Sequence, residues 1–369
     1  MEVPKLELSP IDEMPPIKRP WFVRHKKPTI IISLALVVII VGGTATALYL
    51  GSQKPKTVPV KVVKKAAVVV PALKYYSPLT GNLVPDQTST TLPVTGIMIE
   101  NSPDARPQSG LKNSGVVFEA IAEGGITRFL VLYQQEKPQV IGPVRSVRLY
   151  DLNWLKPFNA GIGHVGGSAE ALAEVRNGTY RDLDQFFNSA TYTRTTDRYA
   201  PHNVYTSFAK LDALNTAKGY TNSTFTGFDR KDSSAPKTPT VSSINVTISS
   251  ALFNSTYAYN AATNTYDRSQ AGAPHADRED GQISPRVVIA LKVDEQTVLQ
   301  DGYREQITTV GSGQASIFQD GTEQDVTWHK DSNDAQLYFT DTLGARVALA
   351  RGQTWLVAIP NGQGSVTWQ

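Results

Sequence analysis

Residues 97–133 read IMIENSPDARPQSGLKNSGVVFEAIAEGGITRFLVLY, and the reading of this stretch decides the fold class. Two alternating apolar runs, Val116 to Glu123 and Ile126 to Gln134, are separated only by Gly124-Gly125. Such runs on either side of a two-residue glycine loop predict a β-hairpin. The tight turn sets Glu123 opposite Ile126, Ile121 opposite Arg128 and Glu119 opposite Leu130. Glu119, Glu123 and Arg128 then share one face as an ion-paired cluster. Upstream, a strand is expected over Val94 to Ile99. Glu100, Asn101, Arg106, Gln108 and Ser109 fall just where it stops, and loops on a rigid scaffold are where sites sit.

Working outward, a short strand is expected at Gly161 to Val165, with helical patterns at Leu149 to Lys156, Ala169 to Arg176 and Phe208 to Lys218. From Val241 onward the chain turns to short alternating segments such as INVTIS, RVVIALK, ASIFQDGTEQDVTWHK and RVALARGQTWLVAIP, punctuated by Asn, Asp and Gly. Residues 227–240 are rich in Pro, Ser and Lys and have no apolar period, which makes them the expected linker. The predicted class is α+β: a β-rich domain over 76–226 and a second over 241–369, each of mixed sheets with few helices.

The N-terminal part reads differently. Thr29 to Leu50 (TIIISLALVVIIVGGTATALYL) carries no charge and has about the 20 apolar positions of a bilayer-spanning helix. A cleaved signal peptide ending near Ala45-Thr46-Ala47 is the alternative, although the run is longer than the usual h-region. Residues 1–28 are the expected cytoplasmic tail, 29–50 the transmembrane helix and 51–75 an extended basic stem. Lys and Arg are nearly balanced across the span but denser close to its N-terminal side, which orients the globular part outside. Cysteine is absent, in keeping with export but not proof of it.

Overall charge misleads here. Of 36 Lys and Arg and 33 Asp and Glu, residues 1–75 hold 12 and 4, which leaves 24 and 29 for the globular part and a net charge of about −5. Nucleic-acid binding needs a basic face on the folded domain, so that class is set aside.

Several residues invite chemistry. Two carboxylates on one face suggest a glycosidase, but four residues along a strand separate their Cα atoms by about 13 Å, against the 5 to 9.5 Å that such carboxyl pairs need. Arg145 and Arg148, in GPVRSVR, offer planar forks for carboxylate or phosphate, or simply neutralise Glu100, Glu119 or Glu123. His164 ends a small-residue strand before a helix capped by Ser168. His202 and Asn203 follow Pro201, with Asp197 and Arg198 close by. No GxSxG elbow supports a serine hydrolase, and no HxxxH or HExxH pair supports a metal site, so neither metal nor cofactor is expected. In the second half, Arg268, His275 and Asp277 are expected to face the first across a cleft.

The runs MIENSPDARPQSGL, FEAIAEGGITRF, GPVRSVR, GHVGGSAEAL and APHNVYTS, with Pro78 to Gly81 (PLTG) at the entry, strongly resemble the YerB-like family of bacterial envelope proteins, defined by a domain of unknown function numbered 3048. Tyr266-Asp267-Arg268, His275-Ala276-Asp277, Gly311-Ser312-Gly313, Asp320-Gly321, Trp328 and Arg351-Gly352-Gln353-Thr354-Trp355 resemble the family's C-terminal domain. The resemblance spans roughly residues 76–369. It implies a two-part extracytoplasmic protein, in a family whose members are often lipoproteins. Lipid attachment needs a Cys at the membrane boundary and this chain has none, so a protein helix is expected to take the lipid's place.

The expected function is that of a membrane-anchored, extracytoplasmic factor that binds or regulates at the cell wall without catalysis. Glu100, Asn101, Arg106, Gln108, Ser109, Glu119, Glu123, Arg128, Arg145, Arg148, His164, His202 and Asn203 are the expected binding residues, with the arginines taking carboxylates of a wall-derived or peptide ligand. The alternatives are a wall hydrolase using Glu100 or Glu119 as acid or base, with His202 a further catalytic candidate, and a module that regulates another envelope protein.

Overall fold

Val116–Glu123 and Ile126–Tyr133 do pair as an antiparallel hairpin, and Gly124 and Gly125 turn the chain at φ 54° and 76°, a left-handed region that glycine adopts readily. The structure, a computed structural model, describes residues 73–298 and 304–369. The expected tail, transmembrane helix and nearly all of the stem lie outside the described residues. No helix among those described is long and apolar enough to cross a membrane.

Around the hairpin a ten-stranded sheet assembles. Its first five strands in chain order are β1 (Thr95–Glu100), β2 (Val116–Glu123), β3 (Ile126–Tyr133), β4 (Gly161–Gly163) and β5 (Arg181–Asp182). A separate five-stranded sheet holds β6 (Ser243–Thr247), β7 (Ser255–Asn260), β8 (Thr265–Gln270) and β9 (Ala273–Pro274). The chain then returns to the large sheet through β10 (Val287–Val293), β11 (Gly311–Gln319), β12 (Thr322–Lys330), β13 (Tyr338–Thr340) and β14 (Thr354–Pro360). Finally β15 (Ser365–Trp368) closes the smaller sheet beside β6. The large sheet runs β13-β12-β11-β10-β14-β2-β3-β1-β4-β5.

Three helices cover it: α1 (Leu149–Leu155), α2 (Ala169–Val175) and α3 (Phe208–Ala217), each within a residue of its expected end. Alternate strand residues divide between two cores. Phe118, Ala120, Leu130 and Leu132 pack with Leu152, Trp154 and Ala171 of α1 and α2. Val117, Phe129, Val131 and Tyr133 pack with Phe208 and Leu211 of α3 and with Ile244, Tyr257 and Tyr266 of the smaller sheet. The result is a β-rich α+β fold in layers.

Two expectations change. Strand β14 lies parallel to both β10 and β2, so one hydrogen-bond ladder runs from residues 76–226 into residues 241–369. Nor is 227–240 a free linker. Phe228 is buried, Arg230–Lys231 pairs with Leu349–Ala350, and the Arg230 guanidinium donates to Leu79 O, Ala350 O and Thr354 Oγ1. A Pro- and Ser-rich composition concealed these two anchors, because one aromatic and one arginine are too few to create a period.

Candidate functional site

The hairpin's register differs from expectation in one place, and that difference rearranges the charges. Glu123 faces Ile126 as expected, but a β-bulge between Ile121 and Glu123 shifts the rest, so Ile121 faces Thr127, Ala120 faces Arg128 and Glu119 faces Phe129. One extra residue flips every later side chain to the other face. Glu119 therefore joins the core shared with the smaller sheet, while Glu123 and Arg128 stay together on the helix side. The expected three-residue cluster is split.

On the core side, Glu119 and Arg268 are a buried ion pair with both side chains 0% exposed. Arg268 NH2 reaches both carboxylate oxygens, at 3.1 and 2.9 Å, and Trp355 Nε1 donates to Oε2 at 2.9 Å. The guanidinium lies over the Trp355 ring at 4.8 Å and bonds Tyr257 OH and Gln270 Oε1. Burial, the largest single influence, would lower the Arg268 pKa, but the Glu119 carboxylate and Tyr257 together outweigh it and the group is raised. His275 is pushed well below the ordinary value by burial and by the charges of Arg268 and Arg106, so its ring is neutral. Its Nδ1 accepts from Arg268 NH1, which leaves Nε2–H to donate to Gln108 Oε1 at 3.0 Å. Gln108 Nε2 then donates to Glu100 O and Asn101 Oδ1, and Arg106 NH2 donates to Asn101 O at 2.7 Å. Glu119, Arg268, His275, Gln108, Asn101 and Arg106 thus form one hydrogen-bonded network that joins the two halves. Asp277 Oδ2 caps Lys112 N from the same side, at 3.1 Å.

On the helix side, Arg128 donates to Glu123 Oε1 at 2.9 Å and to Ser146 O, and Arg148 pairs with Glu123 Oε2. Burial lowers the Arg128 pKa. Asp151, in the first turn of α1, accepts the Arg148 N–H at 2.8 Å, and burial raises its pKa to about 7. A cavity of about 520 Å³ beside this group is lined by Arg148, Tyr150, Asn153, Ser168 and Ile307, among others.

Glu100, the last residue of β1, lies directly opposite Arg128. Its side chain is 4% exposed, and Oε1 accepts from Ser102 Oγ at 2.9 Å and meets His202 Nδ1 at 3.0 Å and Arg145 Nε at 3.4 Å. Oε2 is buried without a partner. His202 and Arg145 are 22% and 24% exposed and bring this cluster to the surface. A carboxylate only accepts, so Nδ1 carries a hydrogen, while Nε2 lies 4.0 Å from Asp104 Oδ2. Ser102 Oγ lies 3.3 Å from that same Nδ1. A serine triad places serine and acid on opposite ring nitrogens, so this trio is not one.

The remaining expected residues lie apart. His164 is buried, with Nδ1 on Gly166 O at 2.8 Å and Nε2 on Asp182 Oδ1 at 3.1 Å. His164, Asp182 and Asp184 bring ligand atoms within 4.8 Å of one another, the kind of group that could hold a metal. Arg176 already pairs with Asp184 at 2.8 Å, and the backbone N–H groups of Asp184 and Phe186 occupy further carboxylate oxygens, so protein donors take up much of its capacity. Asn203 ties Arg194 to Thr195 O, and Ser109 pairs its backbone with Gly142. Ser102, Trp355 and Tyr257 were missed as participants. Serine and buried aromatics carry no pattern that separates them from ordinary loop and core.

Comparison with known proteins follows the same lines. Residues 79–221 match the family described as "Protein of unknown function (DUF3048) N-terminal domain", and residues 244–356 match its "C-terminal domain". The chain is 31% identical over 307 residues to a Bacillus subtilis (strain 168) protein named "Putative lipoprotein YerB", over 81% of this chain and 90% of that one. It also superposes on the crystal structure of YerB protein from Bacillus subtilis with a TM-score of 0.71 and 27% identity, covering 80% of this chain and 100% of the other.

Proposed function

The chain belongs to the YerB-like, DUF3048 family, and from that premise we propose that it is a membrane-attached, extracytoplasmic factor of the bacterial cell envelope that binds a polar wall-derived or peptide ligand without turning it over. The relative's name speaks of a lipoprotein, whereas this chain has no cysteine to carry lipid, so the apolar segment 29–50 is the anchor in this reading.

One contrast carries the proposal. Glu119, one of the two carboxylates considered for acid–base work, is enclosed and has both oxygens occupied, whereas the cluster of Glu100, the other, with His202 and Arg145 reaches solvent. Glu119 and Glu123 lie on opposite faces, so these two carboxyls do not flank a common substrate position. The open cluster offers one acceptor and one guanidinium, which suits recognition.

Sedimentation of the purified full-length chain with peptidoglycan tests this, with the supernatant assayed for released fragments. The expected result is sedimentation that falls in Arg145→Ala and His202→Ala, with no release. Fragment release that vanishes in Glu100→Gln would make the protein a hydrolase instead.

A second reading, docking on another envelope protein, has its own observation. Phe186 and Phe187 are adjacent and 64% and 69% exposed. Asp184 fixes their turn by accepting both backbone N–H groups. Such a pair suits a protein surface. Loss of complex formation in Phe187→Ser with wall binding intact would favour it.

A further inference from the structure

We propose that His164, Asp182 and Asp184 bind one divalent transition-metal ion of the zinc class, through His164 Nε2 and one oxygen of each carboxylate. The site lies apart from the Glu100 cluster and does not depend on the ligand-binding reading.

The argument starts from the strands. Gly161–Gly163 and Arg181–Asp182 are parallel neighbours, so β4 and β5 end on the same side of the sheet. His164 follows the first, Asp182 ends the second, and Asp184 comes two residues later. The histidine and the first aspartate are 18 positions apart in sequence, so no local spacing announces them. Ligand atoms of all three lie within 4.8 Å of one another, and His164 Nε2 stands 3.1 Å from Asp182 Oδ1. At ion–ligand distances of about 2.1 Å, neighbouring ligand atoms stand about 3.0–3.4 Å apart. The nitrogen and the carboxylate oxygen therefore have the spacing of two atoms on one ion.

The imidazole gives an independent observation. Its side chain is 0% exposed, and both of its nitrogens face oxygens that accept: Gly166 O lies 2.8 Å from Nδ1, and Asp182 Oδ1 faces Nε2. Nδ1 therefore carries a hydrogen in every state of the ring. Between Nε2 and the carboxylate stands either a second hydrogen or a metal ion. Metal-bound histidines hold their other N–H on a carboxylate or a backbone carbonyl, as Nδ1 does here. Charge leads to the same pair of answers. The side chains that act on Asp182 are His164 and Arg176, and Arg176 pairs with Asp184 at 2.8 Å. Two carboxylates against one guanidinium leave one negative charge unmet when the ring is neutral.

The oxygens keep room for an ion. Arg176 NH2 takes Asp184 Oδ2, the Phe186 N–H takes Asp184 Oδ1, and the Asp184 N–H takes Asp182 Oδ1. A carboxylate oxygen has two lone-pair sites, so one is left on each. Asp182 is 21% exposed, which opens the ion to water as a fourth ligand. One imidazole nitrogen, two carboxylate oxygens and a water form a set that zinc accepts in tetrahedral geometry. Asp184 also holds the base of the Phe186–Phe187 turn, so the ion joins two strand ends to that exposed aromatic pair.

The test uses the full-length chain, stripped with a chelator and titrated by calorimetry with zinc chloride. The expected result is one ion per chain with a Kd of about 1 µM or tighter. Asp182→Asn keeps an acceptor for the Asp184 N–H and removes the charge. It should weaken binding by at least the roughly tenfold that loss of a supporting contact costs a metal site. His164→Gln should abolish binding, and His329→Gln, near the opposite edge of the large sheet, should leave it unchanged. Crystals grown with one equivalent of zinc chloride and measured at the zinc edge give a readout that needs no variant. An anomalous peak is expected about 2.0–2.1 Å from His164 Nε2. Absence of that peak, or zinc affinity equal in the parent, Asp182→Asn and His164→Gln, overturns the proposal. The first result leaves the trio as an imidazolium ion pair, and the second reports an adventitious ion only.

Discussion

Arg268 shows how much one side chain can decide. It is fully buried, bonded to Glu119, His275, Gln270 and Tyr257, and placed over Trp355. Removing one member of a buried ion pair leaves an uncompensated charge and costs about 3–5 kcal/mol, whereas apolar replacement of both can approach neutrality. Arg268→Ala should therefore lower the unfolding free energy by about that much in urea titrations, and Glu119→Met with Arg268→Met should recover part of it. A loss below about 1 kcal/mol in the single variant would mean that the pair is not closed to water. Sequence reading found both residues as polar candidates in family motifs, but not that they meet. Their separation of 149 positions carries no periodic signal, and a charge inside a core looks the same in a sequence as a charge at a cleft.

At the scale of elements, α1 begins on a titratable cap. The Asp151 pKa of about 7 lies above its ordinary 3.8, chiefly through burial. The folded chain keeps a proton that the unfolded chain releases, so the stability tied to this group is greatest below about pH 4 and declines until about pH 7. Asp151→Asn keeps an acceptor for the Arg148 N–H and removes the titration. Its unfolding free energy relative to the parent should rise by on the order of 2 kcal/mol between pH 5 and 8. Parallel pH curves for the two proteins would refute this origin. The hairpin, the three helices and the first strands were legible because alternation, caps and the Gly124-Gly125 turn are local. The bulge before Glu123 was not, since apolar and small residues fill both faces there and either register buries them.

For the whole molecule, the parallel placement of β14 against β2 joins the two halves in one sheet, from which a single cooperative unit is expected. Calorimetry of the full-length chain should give a single unfolding transition for the globular part, and a chain ending at residue 240 should be digested rapidly by protease where the full chain resists. Two resolved transitions would show that each half folds alone. The composition change near 227–240 was readable. The ladder that crosses it was not, because strand pairing between distant segments leaves no mark in either one.

That ladder also sets an order of events. Trp355 must reach Glu119 across 236 positions before the centre of the sheet closes. A chain synthesised from its N-terminus has β2 long before β14, and the β2 edge that β14 covers stays unpaired until residues 354–360 are made. Contacts of such separation form slowly. Addition of residues 354–360 is then the step that completes the centre of the sheet, and a chain that stops short of residue 354 keeps the β2 edge unpaired.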